Sequence, residues 1–229
     1  MVEAKGILDY SLAIKELCRD VCRKVPELRH VDVDRVGFGM AEARNRGSRY
    51  GQLAYVTPLF FEGGVEAISV TRFVRARRPA VEKGGNAFVK VVKYFKYPEA
   101  RASDGKTRLM YLFTVMTPRF YNLEFMDKLT TVFHELYHID PSFNGFVRRF
   151  PGRNWQHGSK ARYEAVCRAL CDKWLKTDPD PQLFAFLQWN YDQLFERYSS
   201  IRGKRFSKTQ PYEISREEAI KLNPALERQ

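Results

Sequence analysis

Two histidines and a glutamate lie within one short segment of the chain, His134-Glu135-Leu136-Tyr137-His138. In a helix, this spacing places the two imidazoles one turn apart on the same face, where both can bind one metal ion. Glu135 follows the first histidine, where a carboxylate could hold a metal-bound water and remove its proton. These residue types at this spacing are typical of a hydrolytic zinc site.

The residues around the motif predict the helix that it needs. Asn122 is a favourable N-cap for a helix that begins there. Apolar residues then recur at helical spacing, at Met126, Leu129, Phe133 and Leu136. Burial of that stripe would leave the histidine face on a cleft. The alternative is a helix with two exposed or core histidines, but three of the chain's four histidines fall between positions 134 and 157.

A catalytic zinc site needs a third protein ligand and an open position for water. His157 is the favoured candidate, because it precedes a predicted helix and a loop could return it to the end of the motif helix. Glu164 is the competing candidate, since a carboxylate from a following helix also completes such sites. The remaining histidine, His30, is predicted to be a surface or capping residue.

The elements that must position these residues follow from the apolar pattern. Residues 11–25 have the spacing of an amphipathic helix. Four or five strands are predicted next, in residues 31–40, 53–57, 67–74, 88–95 and 109–117. Beyond the motif, residues 159–175 and 181–198 are predicted helices. The order indicates an α+β fold in which a single mixed sheet packs against the N-terminal helix and the HExxH helix.

The chain is strongly basic. It has 39 lysines and arginines against 27 aspartates and glutamates, a formal net charge of +12. This excess suggests a polyanionic partner, nucleic acid before membrane, although a protein that is merely basic is the alternative. The densest runs are Arg72, Arg75, Arg77 and Arg78, and Arg202, Lys204, Arg205 and Lys208.

The sequence predicts neither a membrane protein nor a disulfide framework. The longest apolar run, residues 109–117, is too short to span a bilayer, and the N-terminus lacks a secretory apolar segment. We therefore expect a cytoplasmic protein. Four cysteines form two pairs at i,i+4 spacing, Cys18/Cys22 and Cys167/Cys171. They are predicted to be small core residues, with a metal site shared by all four as the alternative.

The motif and its surroundings resemble the phage-type metallopeptidase family, which is similar in layout to the SprT-like zinc proteases. The resemblance covers about residues 30–170 and rests on four segments: Leu53-Ala-Tyr-Val-Thr-Pro-Leu-Phe-Phe-Glu-Gly-Gly64, Thr131-Val-Phe-His-Glu-Leu-Tyr-His-Ile-Asp-Pro-Ser-Phe-Asn-Gly145, Arg148-Arg-Phe-Pro-Gly-Arg153 and His157-Gly158. It implies a zincin-like fold, His134, His138 and His157 as ligands of Zn²⁺, and Glu135 as the catalytic base. Asn144 departs from the pattern, because an acidic residue is expected there.

Together these features predict a zinc-dependent metallopeptidase domain in residues 1–200 and a basic, polar tail in residues 201–229. Its substrate would be a protein or peptide, including proteins held at nucleic acid. Residues 109–117 would form an edge strand beside the cleft that docks an extended peptide through its main chain. Tyr137 or Tyr163 could donate to the oxyanion. The alternatives are a nucleic-acid-binding protein with a structural zinc site, and a zinc hydrolase with a non-peptide substrate.

Overall fold

The computed structural model describes residues 6–43, 51–59, 65–75, 86–96, 99–150, 157–206 and 211–228. The fold is α+β, as predicted, with both mixed and antiparallel sheets. The chain divides into two compact units, Met1–Leu59 with Glu99–Lys208, and Phe60–Pro98 with Thr209–Gln229. No helix in the described ranges is both long enough and apolar enough to cross a membrane.

The elements are numbered in chain order. The strands are β1 (Ile7–Asp9), β2 (Val36–Glu42), β3 (Ala54–Pro58), β4 (Val65–Arg75), β5 (Asn86–Lys96), β6 (Tyr111–Thr117), β7 (Ser200–Arg202) and β8 (Tyr212–Ile214). The α-helices are α1 (Tyr10–Lys24), α2 (Phe125–Tyr137), α3 (Lys160–Leu175), α4 (Tyr191–Arg197) and α5 (Arg216–Leu222).

The first unit is built on a mixed sheet with the strand order β2-β6-β3. The central strand, β6, runs parallel to β2 and antiparallel to β3. The prediction that residues 109–117 form an edge strand is therefore wrong. The physical reason is that these residues form an uninterrupted apolar run, which is typical of a strand covered on both faces. In agreement with this, six of the seven β6 residues are buried. The edge strand of this sheet that faces α2 is β3.

Helices cover the sheet of the first unit. Asp9 caps α1 by accepting a hydrogen bond from the Leu12 N–H at 2.9 Å, and the helix packs against β2. Helix α2 packs against both β3 and α3, so the N-terminal and motif helices both pack on this sheet, as predicted. The indole N–H of Trp174 in α3 donates to the buried carboxylate of Asp20 in α1 at 3.0 Å. The two helices are thereby joined directly.

Several predicted boundaries differ from those observed. The expected single sheet is wrong, since β1 pairs with β7 and β4-β5-β8 form an antiparallel sheet within the second unit. The strand predicted at residues 31–40 begins only at Val36, because Asp32 caps a 3-10 helix at Val33–Arg35. Helix α2 begins after Glu124, whereas the side chain of Asn122 instead accepts the Tyr191 N–H at 3.1 Å.

The C-terminal part of the chain contains more structure than the sequence predicts. The expected boundary after residue 200 falls inside β7, which pairs in parallel with β1. Further on, β8 pairs with β5, and α5 contributes Ala219 to the core of the second unit. The helix predicted at residues 181–198 is interrupted. Two 3-10 helices come first, and α4 then begins as a separate helix, whose N-terminus has a capping box formed by Asn190 and Gln193.

Candidate metal centre

Helix α2 carries His134, the first histidine of the motif, and ends immediately before the second. Its apolar stripe is fully buried at Leu129, Phe133 and Leu136. Burial of this side leaves the adjacent face, with His134, on a cleft. His138 is the C-cap residue that directly follows the helix. The apolar periodicity of α2 therefore determines which way the histidine face points.

His157 reaches the same place from the opposite direction, immediately before α3. Ser159 is the N-cap of that helix, and Gly158 has a positive φ of 61°. A side chain at Gly158 would be strained by this φ, and its Cβ would lie 3.2 Å from Cβ of Phe150. Glycine permits the turn by which the chain enters α3 directly after His157.

The three imidazoles converge through their Nε2 atoms. The Nε2 atom of His134 lies 3.1 Å from that of His138 and 3.3 Å from that of His157. Ligand atoms at about 2.05 Å from a common ion and at these separations subtend about 98° and 107° at it, close to tetrahedral. His134, His138 and His157 form a group that could hold a metal ion, and the described ranges contain no other such group of histidine, cysteine and carboxylate side chains. The donor set therefore fits a zinc ion.

The protonation of these histidines also suits metal binding. Burial is the largest cause that lowers the pKa of His134 to about 4 and that of His138 to about 3, and repulsion by the neighbouring imidazoles adds to it. Both rings are therefore neutral at pH 7. Neutral imidazole is the form that coordinates metals, so no proton has to be displaced from either ring.

Glu135 is the most deeply buried acidic group of the cleft. Its side chain is 7% exposed. Burial raises the pKa of the carboxyl to about 8, although a hydrogen bond from the backbone of Val56 opposes the rise. A carboxyl with a pKa near neutrality can both take up and release a proton at physiological pH, which is the property that a general base needs.

These groups line one cleft of about 780 Å³. One wall is α2 with Asp127, Thr131 and the histidines, and a second is the N-terminal half of α3 with Glu164 and Arg168. The third wall is β3 with the residues that lead into it, from Gly51 to Val56. Because the lining extends from the histidines to Gly51 on one wall and to Arg168 on another, the cleft has room for a ligand larger than the metal site itself.

The structure distinguishes between the two candidates for the third metal ligand, His157 and Glu164. His157 joins the cluster, whereas Glu164 lines the same cleft but is not part of the three-residue group. The Glu164 carboxylate is 54% exposed and lies 3.7 Å from Nζ of Lys160. His30 is half-buried behind the motif, with Nε2 3.3 Å from the backbone oxygen of Ile139.

Neither tyrosine that the sequence suggested as an oxyanion donor lines the cleft. The Tyr163 hydroxyl donates to the backbone oxygen of His134 at 3.0 Å, and Tyr137 packs its ring under the Arg148 guanidinium at 4.0 Å. These contacts give no support to an oxyanion role for either residue, which stays a prediction. Asn144 has a local role, because its side-chain oxygen accepts the Phe146 N–H at 3.1 Å within a turn.

The four cysteines lie outside the cleft as buried free thiols, and burial raises the pKa of each. They form no metal-compatible group within the described part of the chain. Buried thiols of high pKa pack as small apolar side chains, as the sequence predicted.

Sequence reasoning missed the residues that shape the cleft away from the histidines. Asp127 and Thr131 precede His134 by seven and three positions on α2, so helical periodicity could have placed them on the same face. The contribution of β3 had no such signal, because it depends on the pairing of β3 with the distant strand β6.

Comparisons of the chain with protein-family models, with curated proteins and with solved structures return no match. The resemblance to the phage-type metallopeptidases therefore stays a prediction that rests on the residues quoted for it.

Proposed function

We propose that this protein is a zinc-dependent metallopeptidase in which His134, His138 and His157 hold the metal and Glu135 is the general base. The observation that carries the proposal is the convergence of three imidazoles beside one buried carboxyl, in a cleft whose wall is a strand edge. Three protein ligands leave a fourth tetrahedral position free, which distinguishes a catalytic zinc site from a closed structural one.

The chemistry divides between the metal and the chain. A zinc ion held by three histidines would act as a Lewis acid and lower the pKa of water. Glu135 would accept a proton, which its burial favours because the buried carboxyl is stable in its neutral form, and it would then pass that proton to the leaving amine. The walls of the cleft would orient the scissile bond and exclude bulk water from Glu135.

The open edge of β3 favours a peptide over other substrates. Leu59 donates to the Met110 oxygen and Met116 donates to the Leu53 oxygen, each at 2.8 Å. Bonded pairs alternate in an antiparallel ladder, so the backbone groups of Ala54 and Val56 point away from β6. Pro58, which has no N–H, also falls at an outward position, where proline is tolerated.

The outward edge of β3 lies next to the proposed base, since the Val56 backbone hydrogen-bonds the Glu135 carboxyl. No other strand pairs with that edge in the described ranges. An extended peptide could add to β3 through the outward N–H and C=O of Ala54 and the outward C=O of Val56, since the Val56 N–H is already bonded to Glu135. The peptide would thereby place its carbonyl near Glu135 and the histidines. This arrangement also supports the proposals of a zincin-like fold and of membership in the phage-type metallopeptidase family.

The proposal is tested by hydrolysis of an unfolded protein, with fragments analysed by mass spectrometry. The zinc-loaded protein should cleave it, and Glu135→Gln should retain zinc but lose cleavage. Glu196→Gln, which changes an exposed glutamate of α4, is the matched control and should cleave normally. Cleavage by Glu135→Gln at the parent rate would refute the assignment of the base.

The substrate class is tested separately with a cleaved peptide and with its analogue methylated on the backbone nitrogens that flank the scissile bond. Methylation removes the donors that strand addition requires, so we expect the analogue to resist cleavage. Equal cleavage of both peptides would exclude docking on β3. Hydrolysis of simple esters without any peptide cleavage would instead favour the alternative of a zinc hydrolase with a non-peptide substrate.

A further inference from the structure

Tyr163, in the first turn of α3, is in contact with all three histidines of the cluster. It is 2% exposed, and its ring centroid lies 4.7 Å from that of His134 and 4.9 Å from those of His138 and His157. Each imidazole therefore has the same aromatic ring as a neighbour, although the histidines come from two separate segments of the chain.

The ring of Tyr163 meets the imidazoles at different angles. It is stacked on His138, with an interplanar angle of 28°, and it is nearly perpendicular to His157, at 80°. The orientation of an imidazole plane sets the direction of its nitrogen lone pair. A ring that is packed against all three planes therefore limits the directions in which the three Nε2 atoms can point.

The hydroxyl of Tyr163 holds the backbone between the two motif histidines. It donates to the His134 oxygen at 3.0 Å. The same oxygen accepts the His138 N–H at a longer 3.3 Å, in the last turn of α2, where helices fray. The Tyr163 hydroxyl thus gives the His134 carbonyl oxygen a second hydrogen bond, beside the one that joins it to the His138 backbone.

Metal-binding histidines are ordinarily oriented by hydrogen bonds from their second ring nitrogen to a carboxylate or carbonyl. Within the described ranges, the recorded ring-nitrogen contacts of His134, His138 and His157 are those among their own Nε2 atoms. Packing against Tyr163 is the contact that all three share. In the described ranges, the partner common to the three rings is therefore a buried aromatic side chain rather than a hydrogen-bonding carboxylate or carbonyl.

We infer that Tyr163 is the positioning residue of the metal centre: its ring and hydroxyl set the orientation of all three histidines and hence the affinity for metal. The inference rests on the proposed metal centre. Tyr163 acts through the ligands and not on the substrate, because its hydroxyl is already bonded to the His134 backbone.

The test is the zinc dissociation constant, measured by competition with a chromophoric chelator, together with the visible absorption spectrum of the cobalt-substituted protein. Removal of an orienting partner typically weakens metal affinity by about 10–100-fold, and we expect a loss in this range for Tyr163→Leu. Tyr163→Phe keeps the ring and loses the hydroxyl, so its loss should be smaller, about threefold to tenfold. Both cobalt spectra should change.

Tyr121→Leu is the matched control, because Tyr121 is equally buried at 2% exposure but has ring contacts with Tyr10 and Tyr191 and none with the histidines in the described ranges. It should lower stability without changing the zinc affinity or the cobalt spectrum.

If Tyr163→Leu does not fold, the zinc affinity and cobalt spectrum of Tyr163→Phe test the inference. An unchanged affinity and spectrum in each Tyr163 variant that folds would overturn the inference, whereas absence of zinc binding by the parent protein would refute the metal centre itself.

Discussion

Substitution of Glu135 by glutamine should make the zinc-free protein more stable, and the gain should depend on pH. The side chain is 7% exposed, and burial raises the pKa of its carboxyl from 4.5 to about 8. The folded protein therefore binds more protons at this site than the unfolded chain does between these two pH values. Its stability must fall as pH rises through that interval. Glutamine has nearly the same shape and cannot ionise.

The magnitude follows from the same shift. A pKa difference of this size costs about 5 kcal/mol once the carboxyl is fully ionised. Water entering the cleft reduces that figure, so we expect Glu135→Gln to be more stable than the parent by about 2–5 kcal/mol at pH 9. Near pH 4 the carboxyl is protonated in both states, and the two proteins should be equally stable within about 1 kcal/mol.

The assay is urea unfolding of both proteins in the presence of a metal chelator, at pH 4, 7 and 9. All other residues are the same in both proteins, so the difference between their free energies of unfolding reports on residue 135. Zinc favours the ionised carboxylate, and saturation with zinc should therefore shrink the difference at pH 9. A difference that stays constant from pH 4 to pH 9 would show that the carboxyl is not desolvated as the structure indicates.

Three further predictions concern the rest of the chain. His157→Ala should lose bound zinc in elemental analysis while Glu164→Ala keeps it; the reverse result would make Glu164 the third ligand. Cys18→Ala, which removes a fully buried thiol, should lower the free energy of unfolding by about 1–2 kcal/mol without changing the metal content, and loss of a second metal equivalent would reveal a cysteine site. DNA binding should be independent of sequence and should weaken steeply with salt. It should also fall on charge reversal of exposed basic residues. If no complex with DNA forms even at low salt, nucleic acid is excluded as a partner. The residues to reverse are Arg202, Lys204 and Arg205.

Local patterns predicted the helices that carry the site, but not all of the site. The apolar stripe of α2 and the capping serine of α3 are signals within one element, so the orientation of His134 and the place of His157 before α3 could be anticipated. The apolar run of β6 predicted a strand correctly but was assigned to the sheet edge. Its burial depends on the flanking strands and on residues distant in sequence, such as Leu59 and Phe206, which pack with Leu112. No local pattern describes these contacts.

The part played by Tyr163 also lay beyond sequence reasoning. The residue type suggested an oxyanion donor. Its actual contacts depend on how α3 packs against α2, which places the hydroxyl on the His134 oxygen. The basic run that contains Arg72 and Arg75 continues at positions 77 and 78, which lie outside the described residues, and its proposed role stays a prediction.

X-ray absorption spectroscopy of the zinc-loaded protein tests the central claim most directly, because it counts the atoms bound to the metal. We predict three imidazole nitrogens at about 2.0–2.1 Å and one oxygen from water. The His157→Ala variant, if it retains any zinc, should show one imidazole fewer. Sulfur ligands, or fewer than three imidazoles in the parent protein, would contradict a metal centre formed by His134, His138 and His157.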